Sequence, residues 1–151
     1  LLKEVQMSTP EELCDKLKDV CMLVSDEDAR IYSQVVDELA ELRNPATLPD
    51  MMLCLRDVEA GEIQYELLEA CERFPREVFI DSVISVGSRC LQVSPIWFGM
   101  LLQSLLNTTD YRNLFVERFR NLDPEAKSVF RDFFKRLSGR NPKYQDLISI
   151  A

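Results

Sequence analysis

Glu59, Glu62, Glu66 and Glu69 are the residues of this chain best spaced for joint chemistry. Their intervals alternate between three and four, which sets them along one face of a helical segment. Grouped carboxylates can share general acid/base work, bind a hard cation through oxygen, or present negative charge to a cationic partner. Helical di-metal carboxylate proteins add histidine in a Glu-x-x-His motif, and this sequence has no histidine. The same absence removes Ser-His-Asp and Cys-His nucleophiles and the commonest general acid/base. The five cysteines, at 14, 21, 54, 71 and 90, include no C-x-x-C pair and lie in apolar runs. They read as reduced, buried thiols and not as zinc ligands. Gly61, Gly87, Gly99 and Gly139 are isolated, so no phosphate loop is present. The glutamates therefore read first as a recognition face, with no catalytic residue, cofactor or metal assigned. Tyr65, among them, reads equally as an aromatic interface anchor or as an ordinary half-buried residue.

The charge pattern points the same way. The formal charge is −8, which argues against direct binding to DNA or RNA. Residues 1–107 carry 20 acids and 9 bases, whereas 108–151 carry 6 acids and 9 bases. Within 26–72, 13 acids meet only 3 bases, a net of −10. Such a segment is either a set of solvated helix faces or a dedicated electrostatic surface. The glutamate stripe favours the second reading, because like charges at this spacing cost an isolated helix a few tenths of a kcal/mol per pair, roughly. Asp57, just before the stripe, and Asp37, Glu38 and Glu41, on the preceding helix, complete the candidate partner-binding set. The basic residues Arg118, Arg120, Lys127, Arg131, Lys135 and Arg136 are interleaved with acids. Pairs such as Asp132 with Lys135 and Arg136 make them read as a solvated helix face.

The elements that must position these residues are helical. A chain of 151 residues, 46% hydrophobic and with four glycines, reads as one all-α domain over 1–151, with 141–151 as a tail. Thr9-Pro10 with Glu12, Ser25 before three acids, and Asp123-Pro124 are helix starts, and Asn44-Pro45 is a stop. The pattern predicts helices beginning near 10, 26, 48, 62, 75, 94, 109 and 124, the last ended by Gly139. Ser94 is the expected N-cap of the 94–107 helix, Pro95 its first residue, and Gly99 the point where a neighbour comes close. This stretch holds the only Trp and is apolar almost all round, so it is expected to be the buried central helix. Its unbroken apolar part is far below the roughly 20 residues of a membrane span, and no secretory signal opens the chain. About eight helices in antiparallel hairpins would form a short HEAT-like solenoid or an irregular bundle.

Tyr65-Glu66-Leu67-Leu68-Glu69, Phe74-Pro75-Arg76-Glu77-Val78-Phe79, Ser94-Pro95-Ile96-Trp97 and Leu105-Leu106-Asn107 together resemble the immunity protein 30 family. These are small helical antitoxins of bacterial polymorphic-toxin and contact-dependent growth inhibition systems. The likeness covers roughly 60–137; Gln103-Ser104 departs from it, lacking the family's basic residue before the Leu-Leu-Asn turn. What the resemblance implies is a cytoplasmic, non-enzymatic protein that binds and neutralises one toxin domain, often a nuclease. A nuclease cleft is basic because it holds phosphates, so an acidic helical surface can occupy it. The alternative is a HEAT-like adaptor that recognises some other protein; a carboxylate or Mg²⁺ enzyme comes last.

Overall fold

The computed structural model describes residues 8–59 and 62–150. Among these residues every regular element is helical: α1 Pro10–Val20, α2 Asp26–Leu42, α3 Leu48–Leu53, α4 Ile63–Glu72, α5 Arg76–Val93, α6 Pro95–Leu106, α7 Thr109–Phe119, α8 Pro124–Arg140 and α9 Gln145–Ile150. Short 3₁₀ turns at Pro45–Thr47 and Pro142–Tyr144 lead into α3 and α9. No helix of the described residues is long and apolar enough to cross a membrane.

Local side-chain chemistry fixes most helix starts. Thr9 accepts from the Glu12 amide at 3.1 Å, Ser25 from Asp28 at 3.1 Å, and Asp123 from Ala126 at 3.0 Å. Each satisfies an amide that the helix itself leaves without a partner. The reciprocal half of the expected capping box takes another form, with the Thr9 hydroxyl donating to the Glu12 carboxylate at 3.2 Å. Arg43 closes α2 in the left-handed region (φ 49°), and Asn44 caps the next turn through the Ala46 amide at 3.0 Å.

Packing makes α5 the hub. It lies against α3, α6, α7 and α8, whereas α1 packs on α2 and α2 on α4. In a solenoid each repeat touches only its neighbours; a helix shared by four others makes this an irregular bundle. The closest approach is at Gly87, where a Cβ would stand 2.5 Å from Cζ of Phe130. Phe130 is buried among Phe115, Phe119 and Phe134, with ring centroids 5.4–6.0 Å from its own. These rings join α7 to α8 over α5.

The 94–107 stretch is a correction. Its inner side is buried through Phe98, Leu101, Leu102, Leu105 and Leu106, and Gly99 does admit a neighbour, Phe133, 3.0 Å from where a Cβ would sit. Its outer side is open: Ile96 is 66% exposed and Met100 36%. Near-continuous apolarity signalled a helix buried all round, but α5, α7 and Phe133 of α8 cover only part of its circumference. Ser94 does not cap it either; the Ser94 hydroxyl donates back to the Cys90 carbonyl at 3.2 Å. Gly139 does not end α8, which continues to Arg140. The expected tail is docked: Leu147 and Tyr144 are buried, and the Tyr144 hydroxyl donates to Asn107 Oδ1 at 2.7 Å.

The two helical glycines give opposite expectations. Gly87→Ala gains roughly 1 kcal/mol of helix propensity but forces Phe130 out of a close-packed cluster. The net loss is expected to be about 1–2 kcal/mol, a fall in Tm of about 2–8 °C. Gly139→Ala, with nothing within 4 Å, is expected to raise Tm slightly. Thermal melts of the two variants beside the unaltered chain check both signs.

Candidate functional site

The glutamate stripe is carried by α4, whose orientation is set from inside. Gln64, Leu67, Leu68, Ala70 and Cys71 are buried, and the Gln64 Oε1 accepts from the Arg56 amide at 3.0 Å, tying the helix to the end of α3. That leaves Tyr65, Glu66 and Glu69 on the outer side, with Glu62 at the N-cap and Glu59 exposed ahead of it. Among the described residues no ion pair reaches Glu59, Glu62, Glu66 or Glu69. Two of the bases in this acidic segment are engaged elsewhere: Arg30 pairs with Glu27, and the Arg56 guanidinium donates to the carbonyls of Leu53 and Leu55 at the end of α3.

Tyr65 is neither free nor sunk in the core. It is 47% exposed, and its ring meets Trp97 edge to face at a centroid distance of 4.8 Å. Aromatic pairs in this geometry contribute about 0.5–1.5 kcal/mol beyond area burial. The contact binds α4 to the first turn of α6. Asp57 makes a second link there: Oδ2 accepts from the Ile96 amide at 3.0 Å and Oδ1 from Trp97 at 3.1 Å. Asp57 thus supplies the cap expected of Ser94. The result is an apolar ledge in which the exposed Tyr65 stands against the first turn of α6, where Ile96 is exposed too, with the outer glutamates of α4 on the same helix as Tyr65.

The acids of α2 divide. Asp37 and Glu41 are exposed, while Glu38 lines a recess between α1 and α2 with Lys16, Asp19 and Ile31. The α2 and α4 helices pack together, and the charge of Glu66 acts on the buried Tyr32 of α2. Sequence reasoning missed three participants. Trp97 was legible only as a core residue, because its partner is 32 positions away by number. Glu72 continues the stripe at three residues past Glu69; burial, and then the Glu69 charge, raise its carboxyl above the ordinary range, with Ser104 hydrogen bonding opposing them. Arg136 and Arg140 are the third: they line a groove of about 350 Å³ with Ile96, Met100 and Phe133. The expected pairing of Asp132 with Lys135 and Arg136 is not made; of the basic residues named with them, Arg118 pairs across helices with Asp81 of α5 at 3.2 Å. Arg118 reaches further than an exposed i,i+4 partner would, and the exposed α8 pairs gain too little to order two long side chains.

All five cysteines are buried and unpaired. Burial pushes the Cys14 thiol up to about 11 and Cys90 to about 12, so neither is a nucleophile at neutral pH. Cys21 differs: a hydrogen bond with Cys54 draws it down to about 6. The Lys18 carbonyl, 3.3 Å from its Sγ, favours the thiol instead, and at 3% exposure it is closed to reagents. Among the described residues no group of three or more Cys, Asp and Glu is arranged to hold a metal ion.

The sequence pattern of the family described as immunity protein 30 matches residues 19–115. No curated protein and no solved structure matches the chain. The matched span begins well before the residue 60 expected from the resemblance and stops short of α8. It takes in α2 to α5 and α6, and with them the stripe, the Tyr65–Trp97 contact and the Asp57 cap.

That cap is open to direct measurement. Asp57→Ala removes the acceptor of two α6 amides and is expected to cost about 1 kcal/mol, whereas Asp57→Asn keeps a good capping side chain and costs a few tenths. Trp97 is the single tryptophan, so its fluorescence reports the first turn of α6. A red shift in the alanine variant that is absent in the asparagine variant is the expected outcome.

Proposed function

The chain belongs to the immunity protein 30 family, and on that premise we propose that it neutralises a cognate nuclease toxin by covering its basic active-site cleft with the acidic side of α4. Membership of the family supplies the toxin as partner. The nuclease target and the acidic blockade are inferred from charge. The observation that carries them is a line of exposed glutamates, Glu62, Glu66 and Glu69, with no cation on them among the described residues, beside the half-exposed Tyr65. Like charges left unpaired on one face cost the free protein and are relieved only by a cationic partner.

In this reading the charges steer and orient, and the apolar ledge supplies the area removed from water. Steering acts before contact and falls with ionic strength. Tyr65, braced by Trp97, is a large side chain already held in place, so little rotamer freedom is lost when a partner covers it. Glu59, Asp37 and Glu41 extend the negative field without touching the cleft, and Asp57 keeps the ledge in place through its cap. Inhibition of this kind uses occupancy alone, with no cofactor and no reacting group. Five reduced thiols suit a reducing compartment, in keeping with a cytoplasmic site of action against a toxin delivered there.

The test uses the cognate toxin domain, identified as the protein that co-purifies with this chain. Its affinity is measured for the unaltered protein and for Glu62→Lys with Glu66→Lys, at low and at physiological salt. Both positions are exposed, so the fold is retained. The expected result is a loss of about tenfold or more, together with a shallower dependence on salt. Unchanged affinity and salt slope would remove this face from the interface.

A further inference from the structure

The stripe does not stop at the edge of α4 but runs into a recess. Glu72, the last residue of the helix, forms one wall of a cavity of about 240 Å³ completed by Phe79 of α5, Ser104 and Leu105 of α6, and Thr108 and Tyr111 at the start of α7. Three features set this carboxylate apart. It stands at a helix C-terminus, where the backbone dipole is negative and cations are favoured, yet the last turn of α4 has no base. Glu69, one turn back, adds further negative charge. Arg73, the next residue and the C-cap of α4, makes no ion pair with it among the described residues, and Arg76, the following base, is turned away to Asp110 at 3.6 Å. The recess therefore has an exposed carboxylate on its wall, with an adverse field and no ion pair to it among the described residues.

The other walls say what kind of cation would fit. Phe79 and Tyr111 meet edge to face at 5.9 Å, and aromatic faces attract a cationic head. The partly exposed Tyr111 ring, backed by the buried Leu105 and Phe79, offers apolar surface to a methylene stem, while the Ser104 and Thr108 hydroxyls can accept from a guanidinium or ammonium. We propose that this recess receives one arginine or lysine side chain of the protein partner, with the charged head on Glu72 and the stem along Tyr111. The proposal rests on the toxin-binding reading for the identity of the partner, and it turns a diffuse acidic face into one with a defined acceptor for a single side chain. A partner cation seated there would relieve the repulsion between Glu69 and Glu72 and the unfavourable end of the α4 dipole in one contact.

Two measurements decide it. In the first, N-acetyl-arginine methylamide and its uncharged citrulline counterpart are titrated into the isotope-labelled protein. Saturable NMR shifts at Ser104, Thr108 and Tyr111 are expected with the arginine probe, at roughly millimolar affinity, and are lost in Glu72→Gln. Equal shifts with both probes, or shifts that survive Glu72→Gln, overturn the proposal. In the second, the toxin domain that co-purifies with this chain is bound to the unaltered protein, to Glu72→Gln and to Glu125→Gln, an exposed acid on α8 removed as a control. A loss of about tenfold or more for Glu72→Gln, with Glu125→Gln within about twofold, is expected of a central charged contact. If the unaltered protein binds and Glu72→Gln binds equally well, the recess is not the acceptor while the acidic face stands. If the unaltered protein does not bind at all, the toxin-binding reading fails, and the arginine titration alone decides the recess.

Discussion

The ring of Phe130 lies on the bare backbone of Gly87, and the rest of the molecule is arranged around that contact. It sets how near α8 can come to α5. It also fixes where the phenylalanines of α7 and α8 stack, because Phe130 is the member they share. With its far side occupied in this way, α5 can take α3 on another flank and α6 on a third. Close-packed interiors accommodate little change of volume, so one missing methyl group determines the spacing of four helices.

From that hub the chain divides by charge. The acid-bearing helices α2 and α4 pack on each other and reach α5 chiefly through α3, while α7, balanced in charge, and α8, with surplus bases, lie directly on α5. Between the two groups, α6 presents an apolar outer edge. The candidate surface thus has a negative flank and an uncharged centre that come from different parts of the chain. Asp57 and the Tyr65–Trp97 pair hold them together.

What could be read in the sequence was local. The caps at Thr9, Ser25 and Asp123 involve residues three apart, so their chemistry is written in adjacent letters, and the helices they start were found. The all-α class followed from the same signals. The Asp57 cap joins residues 39 and 40 positions apart, and nothing in Ser94-Pro95 announces that the acceptor comes from elsewhere. The role of α5 was hidden for a related reason: its composition is mixed, and its importance lies in how many partners it touches. The 94–107 stretch misled because apolarity measures what a helix could bury, not what covers it. In the stripe, Glu62, Glu66 and Glu69 were legible from spacing; Glu72 was not separable from them until α6 and α7 supplied the other walls.

The way α6 is held at its start bears on how this surface can diversify. Asp57 grips the backbone amides of residues 96 and 97 and makes no demand on the side chain at 96. Every residue except proline supplies that amide. The scaffold is therefore indifferent to what Ile96 becomes, and the same is true of the outward glutamates, whose side chains hold no element in place. Substitutions that track a changing partner can accumulate at these positions without being filtered through stability, while the anchors beneath them stay as they are. A small inhibitor built this way can exchange one target for another by altering its outer residues alone.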